Sequence, residues 1–357
     1  MSRFFSKRFD ALEPYVPGEQ PQEGGFVKLN TNESPFPPSQ AAVECAAEAA
    51  KGLQLYPDPE CRRLASKIAE MVGLEAANVF VANGSDEALN FAFGSFCDEL
   101  RAAVYPDITY GFYPVFAAYN RVASRTIALR DDMTIDADAF CGLDPQTTGA
   151  IVIANPNAPT GLALGLDDIE RIVASNPDIV VIVDEAYVDF GATSATSLIG
   201  RYENLLVTQT FSKSRAMAGA RLGFAIGPEE LIADLNTLKY STNPYNVDSM
   251  TLAAGLGALE DEEYTRQCCA SIIETRTYLM EQLAALGFEM TDSLANFVFA
   301  KHPGIGGTEL YEQLKARKVL VRHFSAPRIE EFNRITVGTR AQADALLDAI
   351  RDILKQG

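Results

Sequence analysis

Six strand-sized apolar runs, at 79–82, 102–105, 151–154, 179–183, 205–210 and 222–226, restrict the fold of this chain more than any other feature. Most read straight through in apolar residues, without alternating with polar ones, the pattern of strands covered on both faces. Between and around them lie amphipathic stretches, at 41–51, 61–72, 85–96, 166–175 and 228–240, long enough for helices. The expectation is an α/β fold with a mostly parallel sheet covered by helices.

The last hundred residues change character. A long helix is expected at about 261–286, then strands at 297–300, 319–321 and 333–337, with helices starting at 308 and 340. Fewer helices per strand indicate a smaller α+β unit. The stretch up to Pro38 is rich in proline and glycine and reads as an arm packing on that unit. The expected division is a large domain over 40–250 and a small one built from 1–39 and 251–357.

Composition removes several classes of function. Thirty Lys and Arg against 48 Asp and Glu give a net charge of −18, which repels nucleic acid and anionic lipid, so any anionic ligand must be held by local arginines. No apolar run approaches a bilayer span, and residues 1–10 lack the apolar core of a secretory signal. Cys45, Cys61, Cys97, Cys141, Cys268 and Cys269 show no C-x-x-C spacing; reduced thiols and a cytoplasmic location are expected. With only His302 and His323, neither a Ser-His triad nor a histidine-rich metal site is expected.

In such a sheet, ligands bind beyond the carboxyl ends of the strands, and there the polar motifs fall. Run 79–82 is followed by Asn83-Gly-Ser-Asp-Glu87, whose free N–H groups at a helix start suit an anion. Run 151–154 leads into the rigid turn Asn155-Pro-Asn-Ala-Pro-Thr-Gly161, and 179–183 into Asp184-Glu-Ala-Tyr187. Run 205–210 ends at Phe211-Ser-Lys213, a lone lysine flanked by Thr210, Ser212 and Ser214, with Arg221 eight residues on. A lysine placed to bind a carbonyl, an anion cradle and a strand-end carboxylate are the parts that pyridoxal phosphate needs.

Together with Leu29-Asn-Thr-Asn-Glu-Ser-Pro35, Tyr56-Pro57, Thr109-Tyr-Gly-Phe-Tyr113, Gly219-Ala-Arg221, Val321-Arg-His-Phe324 and Arg334-Ile-Thr-Val-Gly-Thr339, these motifs resemble the fold-type I, pyridoxal-phosphate-dependent aminotransferases over nearly the whole chain. Within that group the chain is similar to the histidinol-phosphate aminotransferases. The resemblance implies the aspartate aminotransferase-like fold and a Schiff base on Lys213, which then acts as general acid and base. It implies Asp184 on the pyridine nitrogen, Tyr187 donating to the ring phenolate oxygen and Tyr110 stacked on the ring. Ser85, Thr210, Ser212 and Arg221, with the amide of Gly84, would hold the phosphate; Asp86 and Asn157 join the cofactor's surroundings. Tyr56 would reach a partner's cofactor across a homodimer with shared active sites. Arg334 would take a substrate carboxylate, Arg322 a substrate phosphate, and Tyr15 would line the pocket.

The implied reaction exchanges the amino group of histidinol phosphate with 2-oxoglutarate, giving imidazole-acetol phosphate and glutamate, a step of histidine biosynthesis. An aromatic aminotransferase, a threonine-phosphate decarboxylase and a non-catalytic cofactor-binding effector module share much of the pattern. One position departs from it: most relatives carry Asn before Pro-Thr-Gly, where its amide also donates to the phenolate oxygen, and this chain has Ala158. Either Tyr187 acts alone there, or Asn155 or Asn157 reorients to help.

Overall fold

The computed structural model describes residues 2–10, 12–21 and 23–356. In chain order its elements are β1 (Val27–Lys28), α1 (Gln40–Ala49), α2 (Arg62–Val72), β2 (Val79–Ala82), α3 (Gly84–Phe96), β3 (Ala102–Pro106), α4 (Tyr113–Asn120), β4 (Ser124–Ile127), β5 (Thr148–Ala154), α5 (Leu166–Ser175), β6 (Val180–Asp184), β7 (Leu205–Thr210), β8 (Gly223–Ile226), α6 (Glu229–Thr242) and α7 (Ser249–Glu260). Then follow α8 (Glu262–Ala285), β9 (Glu289–Met290), β10 (Phe297–Lys301), α9 (Gly307–Ala316), β11 (Val319–Leu320), β12 (Arg322–His323), β13 (Asn333–Thr336) and α10 (Arg340–Gln356).

Seven strands form the main sheet in the order β2-β8-β7-β6-β5-β3-β4. All run parallel except β8, which pairs antiparallel with both β2 and β7. Successive strand residues point to opposite faces, so the apolar runs feed two cores. Val81, Ile151, Ile153, Val181, Val183 and Val207 join the core on the side of α2, α5 and α7; Phe80, Ala82, Val152, Ile182 and Leu206 join that on the side of α3 and α6. Each large apolar side chain so buried stabilises by about 1.5–3 kcal/mol, so polar residues are deferred to the strand ends.

The helices follow the same logic. In α2 the buried Leu64, Ala65, Ile68 and Ala69 recur at helical spacing, and Gly73, in the left-handed region at φ 71°, stops it. In α5, Asp167 and Asp168 complement the positive end and Ile169, Ile172 and Val173 face the core.

The second body is the four-stranded antiparallel sheet β12-β13-β10-β9 with α8, α9 and α10, joined by the β1–β11 pair. Its core contains Leu279, Leu283, Phe297, Val298, Leu346 and Ile350, and it also takes in Ala158 and Tyr187 from the large body. The two bodies therefore meet at the edge where β5 and β6 end. Although the division expected at 250 assigns α7 to the small unit, Ala254, Ala258 and Leu259 of α7 pack in one core with Ala42 of α1 and Leu64 of α2. None of the described helices is long and apolar enough to cross a membrane.

Candidate active site

The reversal of β8 decides how the site is assembled. Arg221 precedes β8, and in a fully parallel sheet it would start from the edge opposite the other motifs. Running antiparallel, β8 starts where β5, β6 and β7 end, so Arg221 arrives beside Asp184, Thr210 and Lys213. Two glycines let the parts close. Gly84 opens α3 at φ 77°, and a Cβ there would sit 2.7 Å from Arg221 Nη2; a Cβ on Gly223 would strike Ser85 N. The positive end of α3, the Arg221 guanidinium and the Ser85, Thr210 and Ser212 hydroxyls thus share one end of a cavity of about 340 Å³. There Ser212 N donates to Thr210 Oγ1 at 3.1 Å. The Asp86 carboxylate accepts from Tyr110 OH at 2.8 Å and from Arg221 Nη2 at 3.1 Å.

Across the cavity lies Asp184, buried, with Tyr113 OH donating to Oδ2 at 2.8 Å and the Ala186 amide to Oδ1 at 3.3 Å. Burial pushes this carboxyl up to about 6 against those hydrogen bonds, with the Asp86 charge adding to the rise. Burial, with the Asp184 and Asp86 charges, also drives the Tyr113 and Tyr110 hydroxyls well above the usual tyrosine range. No ion pair reaches Asp184 among the described residues. Lys213 is half-buried, its Nζ donating to Thr31 O at 3.4 Å and lying 5.7 Å from the centre of the Tyr187 ring.

A second cavity, of about 950 Å³, shares Thr31, Asp86, Tyr110, Tyr187, Lys213 and Arg221 with the first and adds Tyr15, Arg322 and Arg334. Arg334 Nη2 donates to Asn30 O at 3.2 Å, its guanidinium lies 5.4 Å from the Phe297 ring centre, and its buried Nε has no partner. Arg322 holds the Val16 and Pro17 carbonyls at 3.3 and 3.5 Å. Tyr15 packs on Phe112 with ring centres 4.5 Å apart.

The structure thus brings Gly84, Ser85, Asp86, Tyr110, Asp184, Tyr187, Thr210, Ser212, Lys213 and Arg221 together, with Tyr15, Arg322 and Arg334 next door. Two expected residues stand apart. Asn157 does not line the cavity: its Oδ1 accepts from Thr109 Oγ1 at 2.7 Å, and its Nδ2 donates to Ile108 O at 2.9 Å and Thr160 Oγ1 at 3.2 Å. Its amide holds the turn, and the expectation that it contacts the cofactor is corrected accordingly. Asn155 is held likewise, accepting from Leu164 N at 2.7 Å. Ala158 does line the cavity, so the turn offers no side-chain amide there. Tyr56 is 82% exposed, stacked on Tyr245 with ring centres 4.6 Å apart and outside both cavities of its own chain. Sequence reasoning missed Tyr113, Thr31 and Asn32. All three lie in motifs already singled out, 29–35 and 109–113, and that membership was the available signal.

The cavity fits pyridoxal phosphate by its donor set. Hydroxyls, an arginine and a helix start suit a phosphate, and a buried carboxylate without a cationic partner suits a protonated ring nitrogen. A lysine amine and a phenol stand in the same walls. A mostly parallel sheet with such a set at its carboxyl edge defines the aspartate aminotransferase-like class of α/β enzymes. The chain belongs to the family of class I and II aminotransferases, whose sequence pattern matches residues 25–350. It is 49% identical over 356 residues to the histidinol-phosphate aminotransferase of Aromatoleum aromaticum, covering 99% of this chain and 100% of that one. Histidinol-phosphate aminotransferase 1 of Bradyrhizobium diazoefficiens is 48% identical over 354 residues, with 99% and 100% covered. In fold, the chain is similar to histidinol-phosphate aminotransferase from Sinorhizobium meliloti in complex with pyridoxal-5'-phosphate, with a TM-score of 0.88 at 22% identity over 100% of this chain and 99% of that one.

Proposed function

We propose that this enzyme transfers the amino group of histidinol phosphate to 2-oxoglutarate, with pyridoxal phosphate held on Lys213, in the cytoplasm. The observation that carries the substrate is a like-charge pair. Arg322 of β12 and Arg334 of β13 are directly opposed in the antiparallel register, and both line the cavity that opens from Lys213. Directly opposed like charges destabilise a sheet unless an anion lies between them. The Arg322 charge, after burial, helps lower the affinity of Arg334 for its proton. A phosphate on the amino donor, or the two carboxylates of 2-oxoglutarate in the second half-reaction, relieves that repulsion. The full-length relatives that bear this activity in their names support the same reading.

Bound pyridoxal phosphate supplies an electron sink for the substrate carbon that bears the amino group. The chain's residues do the rest. Lys213 Nζ would move the proton at that carbon, and Asp184 would hold the positive ring nitrogen. Tyr187 would donate to the ring oxygen, Tyr110 would cover the ring, and Arg221 with Ser85, Thr210 and Ser212 would hold the phosphate. Tyr15 and Phe112 wall the substrate side against water. Tyr56, Leu53, Leu55 and Tyr245 form an exposed apolar patch, and we assign it to a homodimer in which the partner's Tyr56 completes the phosphate site.

Mixing the protein with histidinol phosphate in the absence of an oxo acid should rapidly convert its visible absorption to the pyridoxamine form, while phenylalanine and threonine phosphate leave it unchanged. Conversion by phenylalanine alone would reassign the enzyme to aromatic substrates. No visible band would overturn the cofactor reading.

A further inference from the structure

We propose that Asn32 is a positioning residue that sets the direction of the Tyr187 hydroxyl proton, taking up part of the task left open by Ala158. Asn32 is 1% exposed and sits in the left-handed region at φ 55°. Its backbone N–H donates to Thr336 Oγ1 at 2.9 Å, and its carbonyl accepts from Asn296 Nδ2 at 3.0 Å. Thr336 Oγ1, occupied as an acceptor, has one proton to give, and Asn32 Oδ1 lies 3.0 Å away to take it. That fixes the amide. Reversing it would aim a second donor at Thr336 Oγ1 and leave a buried hydroxyl proton without an acceptor.

With Oδ1 engaged, Nδ2 faces Tyr187 OH at 3.0 Å, and an NH₂ group can only donate. The phenol oxygen therefore accepts from Asn32, and its own proton must point elsewhere. Among the described residues no acceptor takes it, and Tyr187 lines the cofactor cavity. Ala158 lines the same cavity and offers no amide, while Asn155 and Asn157 are held in their turn. Asn32 thus keeps the single remaining phenolic donor aimed inward. Because Thr336 lies two residues beyond Arg334 on β13, the same bonds tie that aim to the strand that binds substrate. The inference rests on the cofactor reading above.

The test is a double-mutant cycle read from the visible absorption of the protein loaded with pyridoxal phosphate, titrated with acid and base. Asn32→Gly keeps the left-handed backbone and removes the amide. Asn32→Asp keeps the shape and, as a carboxylate, turns the phenol proton away from the cavity. Each should raise the pH of spectral conversion, by about half to one unit for the glycine variant and more for the aspartate variant. In a Tyr187→Phe background the glycine variant should not move it, and the aspartate variant should move it less, by its charge alone. Equal shifts in both backgrounds, or no shift in either variant, would overturn the proposal. A wild type without a visible band would overturn the cofactor reading and this inference with it. Melting curves followed by circular dichroism show that each variant compared is folded; should Asn32→Gly unfold, the aspartate variant decides the question alone.

Discussion

Burial holds the Asp184 carboxyl at about 6, above its value in an unfolded chain, so the folded cofactor-free protein retains a proton there that the unfolded chain has released. Stability from this group is therefore fully present below about pH 4 and is lost as pH rises through about 6, a loss of about 3 kcal/mol. Asp184→Asn keeps an acceptor for Tyr113 without the charge. It should make the cofactor-free chain more stable than wild type at pH 8 by about 1–3 kcal/mol, with the advantage shrinking at pH 5. Urea unfolding at the two pH values checks this, and the same variant should bind pyridoxal phosphate more weakly. A second expectation concerns Arg322. Arg322→Ala should lower kcat/KM for histidinol phosphate by about 10- to 150-fold, the worth of a hydrogen bond to a charged group. It should also weaken competition by inorganic phosphate, measured in steady-state assays. Lys213 and Asp184 were legible in the sequence because their chemistry is intrinsic and their place at strand ends follows from apolar runs. Tyr113 and Asn32 were not, because their roles exist only through distant partners; Thr336 lies 304 residues from Asn32. Asn157 misled because the direction of its amide is set by the Thr109 and Thr160 hydroxyls and the Ile108 carbonyl around it.

At the scale of elements, runs that fill a doubly covered sheet announced themselves, while the elements without that pattern stayed hidden. β4, Ser124–Ile127, is a largely exposed edge strand with polar residues and no apolar run. α7 is apolar and glycine-containing almost all round and so lacks helical periodicity, and α4 starts with a proline in its first turn. The direction of β8 was not legible either, since an apolar run has no sense along a sheet, yet that direction places Arg221. The closeness of β8 to α3 is testable. Gly223→Ala inserts a methyl against Ser85 N and Gly84 C, so the helix start at the proposed phosphate end of the cavity must move. Overpacking of this kind costs about 1–3 kcal/mol of stability. Pyridoxal phosphate affinity should fall at least about tenfold, because 1.4 kcal/mol corresponds to one decade. Gly24→Ala, where a Cβ meets nothing within 4 Å, should change neither quantity. Fluorescence titration of the cofactor-free variants separates the two cases.

Over the whole molecule, the cofactor cavity lies where two bodies meet, and that placement makes assembly a functional question. Tyr187 and Ala158 belong to the small body's core while Asp184 and Thr210 end strands of the large one, so the cavity walls depend on how the bodies pack. The exposed patch bears on the same cavity in a different way. Leu55 is 70% and Tyr56 82% exposed, and Tyr56 already stacks on Tyr245, which makes an apolar surface that water opposes. In a twofold dimer, a patch that covers the partner's cavity implies that the partner's patch covers its own. Sedimentation of the wild type should show twice the monomer mass, and Leu55→Asp, which places a charge in that patch, should shift it to one. If the partner's Tyr56 completes the phosphate site, the Leu55→Asp monomer should also lose cofactor affinity. Tyr56→Phe should lower affinity by about 10- to 150-fold, the worth of one hydrogen bond to a charged group, while remaining dimeric. A Tyr56→Phe dimer with unchanged affinity would show that one chain's hydroxyls, Arg221 and helix start hold the phosphate unaided, and a Leu55→Asp dimer would move the interface to another face.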